Sequence, residues 1–161
     1  MIVDTSALVA MLLREEGWET LRSAIADDEN VGVGAPSLLE TVLVISGRAG
    51  RDRSEDVERF VRDLGIVVIP FEEDHARAAA EAFARFGKGR HRAALNFGDC
   101  MSYAVAKLAG QPLLCSGADF AKTDRSSPEP QRVVIHATHS SASFQACRYP
   151  ERSCKVLPEG L

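Results

Sequence analysis

The sequence predicts an α/β fold of three layers, α/β/α, around a central and mainly parallel sheet of four to five strands. Short apolar runs alternate with longer stretches of helical period along most of the chain, which requires crossovers and hence parallel strands with helices on both faces. The first run, Met1-Ile2-Val3, has room for a buried strand only, and Asp4-Thr5-Ser6 after it is a helix N-cap cluster. Asp4 therefore stands at the carboxyl end of a strand, the edge of an open α/β sheet where ligands and reacting groups collect. At 161 residues the chain is the size of one domain with a real core.

Each element follows from its own residues. Leu8 and Leu12, then Trp18, Leu21 and Ile25, recur at helical spacing on either side of Gly17 and predict two short helices over 7–14 and 18–26. Val31-Gly32-Val33-Gly34 is a weak strand, and Pro36-Ser37 opens a helix whose buried face is Leu38, Leu39, Val42 and Ile45, with Gly47 and Gly50 near its end. Ser54 starts a helix to about residue 64 with Glu55, Asp56 and Glu58 in its acidic head. Ile66-Val67-Val68-Ile69, β-branched throughout and closed by Pro70, is the clearest strand inside the chain. An alanine-rich helix from Asp74 to Phe86 stops at Gly87, and another from Gly98 to Ala109 stops at Gly110 before the strand Pro112-Leu113-Leu114-Cys115. Residues 125–130 have a linker's composition, Val133-Val134-Ile135 is a candidate last edge strand, and 137–161 are expected to form an irregular, poorly ordered tail after a single folded domain over 1–136.

Composition narrows the function. With 45% hydrophobic and 26% charged residues and a net charge of −4, the chain is ordinary soluble material and does not coat nucleic acid through a general positive field. No run approaches the roughly 20 apolar residues of a membrane span, and no basic signal region opens the chain, so a cytoplasmic protein without membrane contact is expected. Cys100, Cys115, Cys147 and Cys154 are then expected as reduced thiols.

Three carboxylates beside Asp4 stand where an element begins or ends on the same rim: Glu40 in the first turns after Pro36, Asp99 at the start of the helix from Gly98, and Asp119 after the strand ending at Cys115. Singly, each has an ordinary structural role as cap, solvated helix residue or turn residue. Together they repel by roughly 4 kcal/mol per pair at 4 Å and an effective dielectric near 20, so converging acids protonate or hold a cation. Oxygen ligands select a hard divalent ion. Mg²⁺ fits best and Mn²⁺ suits the same ligands, and such an ion activates water for phosphodiester hydrolysis.

Met1-Ile2-Val3-Asp4-Thr5-Ser6-Ala7-Leu8, Leu39-Glu40, Phe86-Gly87-Lys88-Gly89-Arg90-His91, Leu95-Asn96-Phe97-Gly98-Asp99-Cys100 and Gly117 to Asp124 together resemble the PIN-domain ribonucleases, and among them the VapC toxins of type II toxin–antitoxin modules. The resemblance covers about residues 1 to 124. It implies a PIN-like fold and a metal-dependent endoribonuclease that forms a homodimer and is neutralised by a cognate VapB-like antitoxin. It also implies Asp4, Glu40 and Asp99 as the catalytic and metal-binding acids, with Thr5, Ser6 and Asn96 in support. The resemblance takes Asp119 as the fourth acid, although many relatives carry it two residues earlier, where this chain has Gly117. Residues 125–161 have no counterpart in that pattern.

Lys88, Arg90 and Arg92, with Arg85 and His91, form a basic stretch that is either a contact to RNA backbone phosphates or a solvated loop. Gly87-Lys88-Gly89 lacks the spacing and the Ser or Thr of a phosphate-binding P-loop. His136, His139, Cys147 and Cys154 fit no common zinc spacing. Trp18, Leu21, Phe60 and Leu64 are core or interface residues, or part of an apolar groove on the early helices that receives an antitoxin segment, a reading that Leu12→Asp or Leu21→Asp would test. An aspartyl-phosphate phosphatase needs a second Asp two residues after Asp4, where Ser6 stands. The competing reading is a catalytically inactive PIN-like binding or regulatory module, against which the presence of Asp4, Glu40 and Asp99 weighs.

Overall fold

Ile2–Val3 forms β1, followed by α1 (Thr5–Leu13), α2 (Trp18–Ala26), β2 (Gly32–Gly34), α3 (Ala35–Ala49), α4 (Ser54–Asp63), β3 (Val67–Ile69), α5 (Glu73–Phe86), α6 (Phe97–Ala109), β4 (Leu113–Leu114) and a 3₁₀ turn at Phe120–Lys122. This is a computed structural model, and it describes residues 1–117 and 120–123. Asp119, the candidate strand at 133–135, the four residues weighed for zinc and the tail from 137 lie outside the described residues.

Among the described residues the sheet has four strands in the order β3-β2-β1-β4, and every neighbouring pair is parallel. Side chains alternate across it, as strand geometry requires. Ile2 and Leu113 pack with Phe86, Leu95, Tyr103 and Ala106 on the α5–α6 side. Val3, Val33 and Leu114 pack with Leu8, Met11, Leu21 and Ile25 on the α1–α2 side. Helices thus cover both faces, and each fully buried residue such as Leu8 or Leu95 contributes roughly 2 kcal/mol by leaving water. A smaller cluster, Val9, Ile45 and Val57, joins α1, α3 and α4.

Strands β2 and β3 differ from what their residues suggest. The glycine-bearing β2 is fully buried between β1 and β3, whereas the β-branched β3 is the sheet's edge, with Val67 43% and Val68 44% exposed. Glycine earns the inner place by lacking a side chain. A Cβ at Gly32 would lie 2.7 Å from Ile69 Cδ1 and 3.4 Å from Ile2 Cδ1, so the neighbouring isoleucines close over it.

Candidate active site

β1 delivers Asp4 directly to the N-cap of α1. The residue is buried, and its Oδ2 accepts from the Ser6 backbone N–H at 2.9 Å and from the Ser6 hydroxyl at 2.6 Å. The Ser6 hydroxyl oxygen in turn accepts from the Ser116 N–H at 3.0 Å, just beyond β4. Both bonds to Asp4 use one oxygen. Its Oδ1 accepts no hydrogen bond among the described residues.

Thr5 carries the second link. Its hydroxyl donates to Glu40 Oε2 at 2.8 Å and lies 3.3 Å from the Ser37 carbonyl oxygen, so the start of α1 holds a carboxylate that belongs to α3. Glu40 also rests against α6. A Cβ at Gly98 would stand 2.6 Å from Glu40 Oε2 and 2.9 Å from Oε1, and only a glycine gives the carboxylate this room. The next residue is Asp99, whose Oδ2 accepts from the Asn96 backbone N–H at 2.7 Å while Asn96 Oδ1 accepts from the Asp99 N–H at 3.0 Å. That reciprocal pair is a capping box at the head of α6.

The structure therefore joins Asp4, Thr5, Glu40, Gly98 and Asp99 by bonds and contacts from one residue to the next. Among the described residues, no group of three or more His, Cys, Asp or Glu side chains is drawn together as a finished metal site. Each carboxylate instead accepts from a neighbouring hydroxyl or N–H. The donors that face the rim are oxygens, the set a hard divalent cation prefers. Cys100 sits beside Asp99, but burial, and then the Asp99 charge, push its thiol up to about 11, so it stays protonated near neutral pH.

Lys88, Arg90 and Arg92 are exposed on the loop between α5 and α6. The loop is pinned at its base, where Lys88 N–H donates to the Leu95 carbonyl at 2.9 Å and Leu95 N–H to that of Phe86 at 3.0 Å. Arg90 packs over the Phe83 ring at 5.4 Å. The loop leads straight into Asn96 and Asp99.

The expected groove on the early helices is not what the structure presents. Leu21 is core, 6% exposed, and Leu12 is half-buried against the cluster of Val9, Ile45 and Val57. The amphipathic period that suggested a docking face is spent on the protein's own interior. Large exposed apolar residues stand instead at Leu39, Leu43, Phe83 and Phe97, around cavities of about 550 and 490 Å³ that share Phe71, Phe97 and Met101. The larger of these also touches Glu40 and Gly98. Sequence reasoning passed over Gly98, although a glycine in the first turn of a well-formed helix is a signal of close approach.

Residues 1–126 match the PIN domain family. A Ribonuclease VapC of Mycolicibacterium smegmatis is 45% identical over 124 residues, covering 77% of this chain and 96% of that protein. Ribonuclease VapC36 of Mycobacterium tuberculosis is 47% identical over 125 residues, covering 77% of this chain and 90% of its own length. The crystal structure of Mycobacterium tuberculosis VapC20, described as a sarcin-ricin loop cleaving toxin, superposes with a TM-score of 0.62 at 20% identity, over 80% of this chain and 98% of that one. A toxin–antitoxin complex from Klebsiella pneumoniae gives a TM-score of 0.56 at 18% identity, over 76% and 92% of the two chains. The fold and the matched residues define a PIN-domain protein. The chain belongs to that family and, within it, to the VapC ribonucleases, which are toxins of toxin–antitoxin modules. Among the described residues no helix is long and apolar enough to cross a membrane.

Proposed function

We propose that this ribonuclease is an endonuclease toxin dependent on Mg²⁺, with Mn²⁺ as an alternative, and that Asp4, Glu40 and Asp99 hold the ion with Asp119 as the fourth acid. The observation that carries this reading is that the Glu40 carboxylate is held between Thr5 and Gly98, which are the chain neighbours of Asp4 and Asp99. An ion bound there supplies an activated water and stabilises charge on the phosphate under attack. The chain's own residues prepare the site. Ser6 fixes Asp4 Oδ2, Thr5 orients Glu40, and the Asn96 cap holds Asp99 in place.

Lys88, Arg90 and Arg92 position the RNA by its phosphates, offsetting a net charge of −4 near the site. A cognate VapB-like antitoxin neutralises the toxin, which acts in the cytoplasm. The exposed apolar residues on α3, α5 and α6 are consistent with a homodimer, which light scattering of the purified chain tests: a monomer at micromolar concentration contradicts it.

Purified protein incubated with RNA and Mn²⁺ is expected to cleave internally. Chelation with EDTA abolishes cleavage, and Asp4→Asn lowers it at least about a hundredfold. Equal cleavage by Asp4→Asn would refute the assignment. Arg90→Ala and Arg92→Ala are each expected to reduce the slope of log RNA affinity against log salt by about 0.7. An unchanged slope leaves the basic loop without a role.

A further inference from the structure

One polar contact inside the protein is not accounted for by capping or by the rim itself. The hydroxyls of Ser37 and Ser102 lie 2.9 Å apart, and the residues are 2% and 1% exposed. Ser37 stands one turn before Glu40 on α3, and Ser102 one turn after Asp99 on α6. The bond therefore ties together the two helices that carry these acids, one turn away from each of them.

Stability does not call for a hydroxyl pair at this place. Removing both partners of a buried bond is often close to neutral, whereas removing one leaves the other unsatisfied. What the pair supplies is direction. A satisfied buried hydroxyl pair rigidifies the contact between α3 and α6, which an alanine contact does not. The crossing is close as well as pinned. A Cβ at Gly34 would lie 3.0 Å from Val105 Cγ2, and one at Gly98 only 2.6 Å from Glu40 Oε2. Ser37 also reaches a third element through its carbonyl oxygen, which lies 3.3 Å from the hydroxyl of Thr5, the residue that holds Glu40.

We propose that Ser37 and Ser102 are positioning residues that set the separation of Glu40 and Asp99 by joining α3 to α6. The inference rests on the reading that these acids share a divalent ion. It goes further in assigning the geometry of that site to a buried contact one turn removed.

The test is calorimetric titration of the full chain with Mn²⁺, run well below each variant's melting temperature. Ser37→Ala and Ser102→Ala are each expected to raise the Kd about tenfold. The double variant is expected to be no weaker than the worse single one, because both remove the same bond. Thr41→Val is the control. Thr41 is fully buried and its hydroxyl donates to the Ser37 carbonyl at 2.7 Å within α3, so its loss is felt in stability without cutting the tie to α6. Its Kd is expected to stay within about twofold of wild type. Single variants that bind Mn²⁺ like wild type, a double variant whose loss is the product of the two, or a Thr41→Val loss equal to theirs would each overturn the proposal. If an alanine variant does not fold, Ser102→Cys weakens the same bond at similar volume and is judged by the same tenfold expectation. Wild-type protein that takes up no Mn²⁺ overturns the metal reading itself, and this inference with it.

Discussion

Glu40 and Asp99 are held in opposite ways. Asp99 is fixed by Asn96, three residues before it in the same helix cap, whereas Glu40 is fixed by a hydroxyl 35 residues earlier and by the bare backbone of Gly98 on a third helix. One acid is placed by local structure and the other by packing. The difference teaches where the site is fragile. A capping box forms wherever its helix forms. The place of Glu40 exists only while α1, α3 and α6 are docked, so changes that leave the fold intact can still move it.

Gly98→Ala breaks the packed side of this comparison most severely. The added methyl meets the end of a flexible side chain and no backbone, and alanine gains up to about 1 kcal/mol of helix propensity, so the melting temperature is expected to hold or rise. Glu40 is displaced, and RNA cleavage is expected to fall about a hundredfold. Preserved cleavage would show that the contact at Gly98 has no bearing on the reaction.

Thr5→Val removes the one hydroxyl that orients Glu40 and keeps the side chain's shape. The Kd for Mn²⁺ is expected to rise about tenfold, and Thr5→Ser to restore it. Failure of serine to rescue would assign the loss to packing.

The local side responds least. Asn96→Ala deletes the acceptor for the Asp99 N–H and costs about 1 kcal/mol of stability, read as a drop of a few degrees in melting temperature. The backbone N–H of residue 96 still donates to Asp99 Oδ2, so cleavage measured on folded protein is expected to change by less than about threefold. A large loss of cleavage there would place Asp99 on the same footing as Glu40.

The same division explains what the sequence disclosed. Elements with local signals were legible: the cap cluster Asp4-Thr5-Ser6, Pro36 at the head of α3, the acidic first turn of α4 and the alanines of α5 all fall where they were expected. Relations between elements were not. β-Branched composition marked β3 as a strand without revealing that it is the edge, and Val31-Gly32-Val33-Gly34 gave only a weak strand without revealing that it is central, because Gly32 makes room for Ile69. Asp4 and Asp99 stand at the heads of α1 and α6, where their sequence neighbours placed them. The pairs Thr5 with Glu40 and Ser37 with Ser102 join residues far apart in the chain, and no spacing announces such a pair. Leu21, read from the sequence as core or groove, is core, since helical periodicity gives an apolar face without saying whether the protein itself covers it.

The central claim is that Asp4, Glu40 and Asp99 serve one divalent ion. Crystals of the protein soaked in Mn²⁺ and measured for anomalous scattering test it most directly. The account predicts a single strong peak on the rim, within coordination distance of Asp4 and at least one of Glu40 and Asp99, and its loss in Asp4→Asn. A Mn²⁺ peak elsewhere on the protein, or a rim that stays empty at saturating Mn²⁺ while RNA is still cleaved, would contradict it.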